Sequence, residues 1–344
     1  MIIYNRASAD VASSSSATKA RDYHTQRFLL FPPLGDVPLK KHFAISNKSR
    51  NFAVVFKTKK EHNMATMNEP RYINPYTDFG FKKLFGTELN KDLLISFLNA
   101  LLGGKQVVEK VSYKSTEHFG VSKDSRRAIF DVFCENDKGE KFIVEMQNVY
   151  QQFFKDRSVF YSTFPIQEQG QVGEWDFHLK DVYTVGILNF CFPENEYEPD
   201  NYFHEVKLMD TKDNHVFYDK LTLLYLEMPK FNKTEYQLET MFDKWLFVLR
   251  NLSRLMERPA ALQERIFERV FEQAEIARYS DSERREYEES INAYRDINNA
   301  VNTAKKEGRE EKALEIAKRM KSKGLSHEDI AELTGLTVDE IKTI

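Results

Sequence analysis

Two short runs decide the fold: Ile129-Phe130-Asp131-Val132-Phe133-Cys134, and Phe142-Ile143-Val144-Glu145-Met146-Gln147. Each is apolar, β-branched or aromatic, and each is interrupted by acidic or amide residues. Between them lies Asn136-Asp137-Lys138-Gly139, a turn sequence, so the pair reads as a β-hairpin. With Asp137-Lys138-Gly139 as a three-residue loop and Gly139 in the left-handed position, Asn136 opposes Glu140 and Asp131 opposes Glu145. Directly opposed Cβ atoms lie about 4.5–5.5 Å apart. Two carboxylates at that distance repel unless a cation or a proton sits between them. Alternation along the strand puts Gln147 on the face of Glu145, where its amide can supply an oxygen or orient a water. The bland alternative is a solvent-facing acid pair neutralised by Lys141. Ile129, Phe133 and Ile143 argue against it, because a solvent face does not normally carry such neighbours. A hard divalent cation suits the pair, since Mg²⁺ takes one or two carboxylates together with waters and a substrate phosphate.

Working outward, Thr77-Asp78 before Phe79, Phe81, Leu84 and Phe85 reads as a capped first helical turn. Residues 89–102 place Leu93, Leu94, Phe97, Leu98, Leu101 and Leu102 on one helical face, closed by Gly103-Gly104. A strand begins within 107–111, and a helix is expected over 151–169. Residues 182–192 form an apolar run of the kind buried on both faces of a sheet. Residues 203–209 and 216–226 read as a further strand pair, and from residue 234 onward the pattern is helical. This order argues an α/β or α+β core followed by a helical C-terminal extension. No internal repeat is visible.

Composition bounds the function. The chain has 344 residues, 41% of them apolar and 27 of them Phe, enough for a sizeable core. Lys+Arg against Asp+Glu is 50 against 53, so bulk positive charge cannot carry nucleic-acid binding, and any such contact must be local. Two cysteines, Cys134 and Cys191, exclude a disulfide scaffold or an all-Cys zinc site and fit a reducing compartment. No apolar run reaches the ~20 residues of a membrane-spanning helix. The eight histidines show no zinc spacing, no Ser/His/Asp or Cys/His set is legible, and no Gly-rich phosphate loop occurs. Residues 1–66 lack periodicity. They read as a disordered tail, ahead of a weak likeness to a transit peptide, or as an extension upstream of a true start at Met64 or Met67.

Asp78-Phe79-Gly80-Phe81-Lys82, then Phe130-Asp131-Val132, then Val144-Glu145-Met146-Gln147, resemble the Rpn-type recombination-promoting nucleases, the PD-(D/E)XK nuclease family transposases. The resemblance covers roughly residues 72–192 well and the C-terminal helices more loosely. It implies a restriction-endonuclease-like core with a mixed sheet over 67–232, a helical extension over 233–304, and a small helical module over 305–344. It also implies a metal-dependent DNA endonuclease linked to recombination or transposition, bacterial and cytoplasmic, using Mg²⁺ with Mn²⁺ as a substitute. The rival reading is a non-catalytic DNA-binding or assembly protein that has kept the nuclease fold.

The site implied by the resemblance comprises Asp78, Asp131, Glu145 and Gln147, with Asp131 and Glu145 holding the metal. Asp78 alone also suits a plain helix cap. Gln147 stands where the wider superfamily has lysine, as is common in the Rpn-type branch, and a neutral amide cannot stabilise a hydroxide as an ammonium does. Lys82, Lys83, Lys123, Arg126, Arg127, Lys155 and Arg157 cluster around the hairpin as candidate DNA contacts, and Arg157 resembles a recurrent arginine of the family.

Residues 278–323 are dense in alternating charge and read as an exposed helix. Beyond Gly324, Ser326 with Asp329 and Thr337 with Glu340 resemble capping boxes on either side of Gly335, with Ile330, Leu333, Leu336, Val338 and Ile341 as the apolar seam. This resembles a small helix-turn-helix. Its terminal helix is not basic, which favours self-association into a homo-oligomer or packing over DNA contact.

Overall fold

The computed structural model describes residues 70–104, 107–118, 128–170, 173–195 and 198–344. The expectations for 1–66, and for Lys123, Arg126 and Arg127 as DNA contacts, lie outside the described residues.

Helices α1 (Asp78–Phe85) and α2 (Lys91–Leu102) open the fold. The six apolar residues expected on one face of α2 are all buried, and Gly103 closes it at φ +60°. Strands β1 (Val111–Tyr113), β2 (Glu117–His118), β3 (Ala128–Ile129), β4 (Val132–Asn136) and β5 (Lys141–Gln147) follow. Helix α3 (Phe154–Gln167) leads to β6 (Val182–Leu188), β7 (Phe203–Met209) and β8 (Val216–Glu227). Helices α4 (Met241–Asn251), α5 (Arg265–Ala274), α6 (Asp281–Ser322), α7 (His327–Thr334) and α8 (Val338–Thr343) complete the chain.

The six-stranded sheet has the order β1-β4-β5-β6-β8-β7, with β2 and β3 paired separately. Strands β5, β6 and β8 are mutually parallel, and the remaining pairs are antiparallel. The fold is therefore α+β with a mixed sheet. Every residue of β6 is buried, as its unbroken apolar run requires of a strand covered on both faces.

One face carries Val132, Cys134, Phe142, Val144, Val185 and Leu224, packed with α1, α2, α4 and α5 in a single core. The other face lies under α3, with Phe133 and Ile143 against Phe164, and Tyr225 and Leu188 against Phe154. Helices α4 and α5 fall within the span expected as an extension, yet they belong to the same core. Trp245 of α4 is fully buried, contacts Phe85 and Phe97, and donates its indole N–H to Ser96 Oγ at 3.1 Å. Their helical periodicity was readable, but which face they would cover was a tertiary decision.

Among the described residues, helix α6 is anchored toward its two ends. Near its start, Tyr287 Oη accepts the Asn74 N–H at 3.0 Å and Ser290 Oγ accepts the Phe79 N–H at 3.1 Å. Near its other end, Ala317 joins Ile330 and Ile341 in a separate small cluster. Ser326 and Thr337 cap α7 and α8 as expected, and Gly335 takes φ +73°. The seam differs at Leu333, which is 65% exposed, because the last turns of α6 supply Ala317 and Met320 in its place. Lys321 Nζ also donates to the terminal carbonyls of Ile341 and Ile344 at 3.0 and 2.8 Å.

Candidate active site

The hairpin adopts the expected register: Val132 faces Val144 and Glu135 faces Lys141. Gly139 has φ +81°, and the Asn136 N–H donates to the Glu140 carbonyl at 3.0 Å. Continued two steps beyond β4, that register sets Asp131 opposite Glu145 and Phe130 opposite Met146.

Here β4 breaks. Antiparallel alternation would have Phe130 and Met146 exchange backbone hydrogen bonds. Instead the Phe130 N–H donates to the Thr116 carbonyl at 2.9 Å as the chain turns away. The Asp131 carboxylate takes over the vacated acceptor role, with Met146 N–H donating to Oδ2 at 2.8 Å. In return the Asp131 N–H donates to Glu145 Oε1 at 3.2 Å. Each acid thus accepts from the other strand's backbone, and this fixes both carboxylates. Glu145 is buried at 8% exposure. Lys141 does not neutralise this pair: its ammonium bonds Glu135 at 2.9 Å.

Gly186 of β6 lies beside Glu145 in the parallel register. A Cβ there would stand 3.1 Å from Tyr225 and 3.5 Å from Phe154, so glycine is what lets the first turn of α3 settle on the sheet. Phe154, thus seated, lies 5.0 Å beneath the Arg157 guanidinium, and the Tyr161 ring lies 5.6 Å from it. Arg157 Nη2 donates to Gln147 Oε1 at 2.6 Å and stands 3.9 Å from Glu145 Oε2, while Nη1 donates to Gln151 Oε1 at 2.7 Å. Gln147 Nε2 donates to the Val149 carbonyl at 3.1 Å. The positive charge missing at Gln147 is therefore present beside it, delivered from α3. Exposed Phe153 and Phe160 line the groove that Arg157 shares.

Asp78 lies at the start of α1. The cap itself is Thr77, whose Oγ1 accepts the Gly80 N–H at 3.0 Å, so Asp78 is the first helical residue rather than the cap. A Cβ at Gly80 would stand 2.2 Å from the Asn74 carbonyl oxygen, which explains the glycine in Asp78-Phe79-Gly80-Phe81. Asn148, just past β5, donates to the Tyr76 carbonyl at 2.6 Å and so ties the start of α1 to the end of the acid-bearing strand. The Asp78 carboxylate is half exposed and pairs with Lys82 at 2.9 Å.

The candidate DNA contacts separate. Arg157 is at the site. Lys82 is engaged with Asp78, and Lys155 lies 4.4 Å over the Phe192 ring and pairs with Glu194. Lys83 is withdrawn: it bonds Glu283 at 2.5 Å and lies 5.0 Å over the Tyr279 ring. Among the described residues, one cluster brings three carboxylate or imidazole ligand atoms within 4.8 Å: Asp210, Asp213 and His215 in the β7–β8 turn. Both cysteines are free, and burial pushes the Cys134 thiol up to about 12.

Comparison with known families decides the assignment. A model described as PD-(D/E)XK nuclease family transposase matches residues 75–304, about two thirds of the chain. The chain belongs to this family. A second model, described as Rpn/YhgA-like nuclease family, C-terminal HTH domain, matches residues 310–344. No curated protein and no solved structure matches. The family span includes α4 and α5, in keeping with their place in the common core. The match agrees with the resemblance of the C-terminal module to a helix-turn-helix. The nuclease and helix-turn-helix assignments together support DNA as the partner and a role tied to transposition or recombination. Among the described residues no helix is long and apolar enough to cross a membrane.

Proposed function

We propose that the protein is a DNA endonuclease that hydrolyses phosphodiester bonds with a divalent cation, Mg²⁺ or Mn²⁺, held by Asp131 and Glu145. The observation that carries this reading is the reciprocal pairing at the strand break, where two carboxylates on adjacent strands are fixed by each other's backbone. The donor set fits the cation: both ligands are hard carboxylate oxygens, and one of them is buried beside a like charge. A bound divalent cation would supply charge neutralisation at the scissile phosphate and a more acidic water.

The chain's own groups do the rest. Arg157 offers a guanidinium to a phosphate oxygen and keeps positive charge beside Glu145. Gln147 and Gln151 hold that guanidinium by its two terminal nitrogens, so Gln147 acts as a positioning residue for Arg157. Asp78, linked through Tyr76 and Asn148 to β5, serves at the rim of the site as a further carboxylate. Phe153 and Phe160 present aromatic surface to bases or sugars on either side of Arg157.

One observation favours the rival, a DNA-binding protein without catalysis: Gln147 makes two hydrogen bonds within the protein and offers no ammonium. Plasmid nicking settles it. Nicking by the purified protein in Mg²⁺, lost in EDTA and in Asp131→Asn, is expected. No nicking alongside normal DNA binding selects the rival, and nicking that survives EDTA overturns the metal assignment.

A further inference from the structure

The parallel strands β5, β6 and β8 end together, with Gln147, Leu188 and Glu227 in line. Just past those ends is a pocket of about 200 Å³, lined among others by Tyr76, Asn189, Arg250, Ser253, Arg254 and Tyr294. It adjoins the proposed active site through the backbone: the Asn189 N–H donates to the Gln147 carbonyl at 2.9 Å, and the Tyr76 carbonyl is the acceptor for Asn148. The crevice beyond the carboxyl ends of parallel strands is where open sheets generally bind ligands.

The chemistry of the lining is one-sided. It holds two guanidiniums, two amides, a hydroxyl and two phenols, and no carboxylate. Burial raises the pKa of the Tyr76 phenol, while Arg250 and Arg254 pull it the other way, which marks both cations as close to it. Arginines at this place have an ordinary use, because they complement the carbonyl end of α4. Arg250 fills that role. It donates to the Met228 carbonyl and, at 3.2 Å, to Asn232 Oδ1. Arg254 does not: among the described residues its guanidinium makes no hydrogen bond or ion pair, and neither do the side chains of Ser253, Asn189 and Tyr294. A concave, acid-free set of uncommitted donors beside two cations matches a phosphate group in charge, size and hydrogen-bonding sense.

We infer that this pocket is a phosphate subsite for the DNA strand, with Arg254 as its principal contact, holding a phosphate beside the end of β5. The inference rests on the nuclease reading and extends it to residues of the α4 end, far in sequence from the hairpin. The phosphate is either an internal backbone group or a strand terminus.

Binding of a fluorescent DNA duplex in EDTA, where cleavage is off, tests this across a series of salt concentrations. Variants Arg254→Ala and Ser253→Asp are compared with the parent, and Asp131→Asn serves as the arm for the nuclease reading. Arg254→Ala is expected to flatten the slope of log K against log salt by about 0.9, the loss of one phosphate contact. Ser253→Asp is expected to weaken binding at low salt by tenfold or more, and the thermal midpoints of both variants stay at the parent value. If the effect of Arg254→Ala vanishes on a duplex lacking 5′-phosphates, the pocket holds a strand end; if it persists, it holds the internal backbone. If both variants bind with the parent slope while the parent cleaves and Asp131→Asn does not, the pocket assignment is overturned and the nuclease reading stands. If the parent neither binds nor cleaves, the nuclease reading fails and takes the pocket's ligand with it.

Discussion

Two acidic groups sit at opposite ends of the same sheet. Asp131 and Glu145 lie toward the carboxyl ends of the parallel strands. Asp210, Asp213 and His215 form the turn before β8, beyond the other end. By ligand count the turn is the better metal candidate. Its acids, however, are largely exposed and engaged in turn geometry: Asp210 Oδ1 accepts the Lys212 N–H at 2.9 Å, and Asp213 Oδ1 accepts the His215 N–H at 3.3 Å and contacts the imidazole. The hairpin acids are fewer but are held on strands, partly desolvated, beside an arginine positioned by two glutamines. Charge density alone does not make a site; what does is rigid placement where water is scarce.

The sharpest way to break this contrast is mutational. Asp131→Asn and Glu145→Gln are expected to lower plasmid nicking by about 10³-fold or more, about 4 kcal/mol of barrier. Asp210→Asn and Asp213→Asn should leave it unchanged. Calorimetric titration with Mn²⁺ should show the same division, and loss of binding only in the turn variants would reverse the assignment. In metal-free buffer the hairpin variants keep or raise the thermal midpoint, since an amide preserves an acceptor for the Met146 N–H while removing like charge.

Next in size, Arg157→Ala should cost about 10–100-fold in nicking, about 1.4–2.7 kcal/mol. The structure also sets what Gln147→Lys should do. A lysine there would sit against the Arg157 guanidinium, now 2.6 Å from the amide oxygen, and displace it. Activity at saturating Mg²⁺ should then fall below the parent, and the lysine variant would exceed it only if Arg157 is dispensable.

A smaller effect tests the seat of α3. Gly186→Val pushes on Tyr225 and Phe154 and should cost about 1–3 kcal/mol in urea unfolding, with nicking reduced alongside. An unchanged nicking rate would uncouple Phe154 from the placement of Arg157.

The smallest expected effect lies outside the site, at the joint between α1 and α6. The Lys83 ammonium, with Ser280, holds the Glu283 carboxyl down to about 2. Its unfolded value is about 4.3, so the stabilisation is full above that pH and is lost as pH falls toward 2. The thermal midpoint of Glu283→Gln should lie slightly below the parent at pH 7 and converge with it between about pH 4 and 2. A gap that stays constant with pH would show that the joint carries no charge-dependent stability.

The hairpin was legible because its evidence is local: a turn sequence fixes the register, and the register fixes which acids oppose. The same is true of α2, of the fully buried β6 and of the capped terminal helices, where periodicity and caps act within a few residues. Arg157 was legible as a residue but not in its role. Nothing in its spacing from Glu145 states that Phe154 and Tyr161 would carry it back over Gln147. Lys83 shows the converse error, because a lysine near the hairpin in sequence was claimed by Glu283, two hundred residues away. Asp78 was placed on the right turn, but the neighbouring threonine took the cap.

By itself the sequence determined the strand register, the opposition of Asp131 and Glu145, the amphipathic faces and the helix ends, all set by short-range stereochemistry. Tertiary structure alone decided that β4 breaks at Asp131 so that the carboxylates bond backbone, and that α4 and α5 join the common core. It alone brought Arg250 and Arg254 to the ends of β5 and β6. These outcomes depend on which surfaces meet when distant segments bury their apolar faces together, and that choice is made by the packing of the whole chain rather than by any stretch of it.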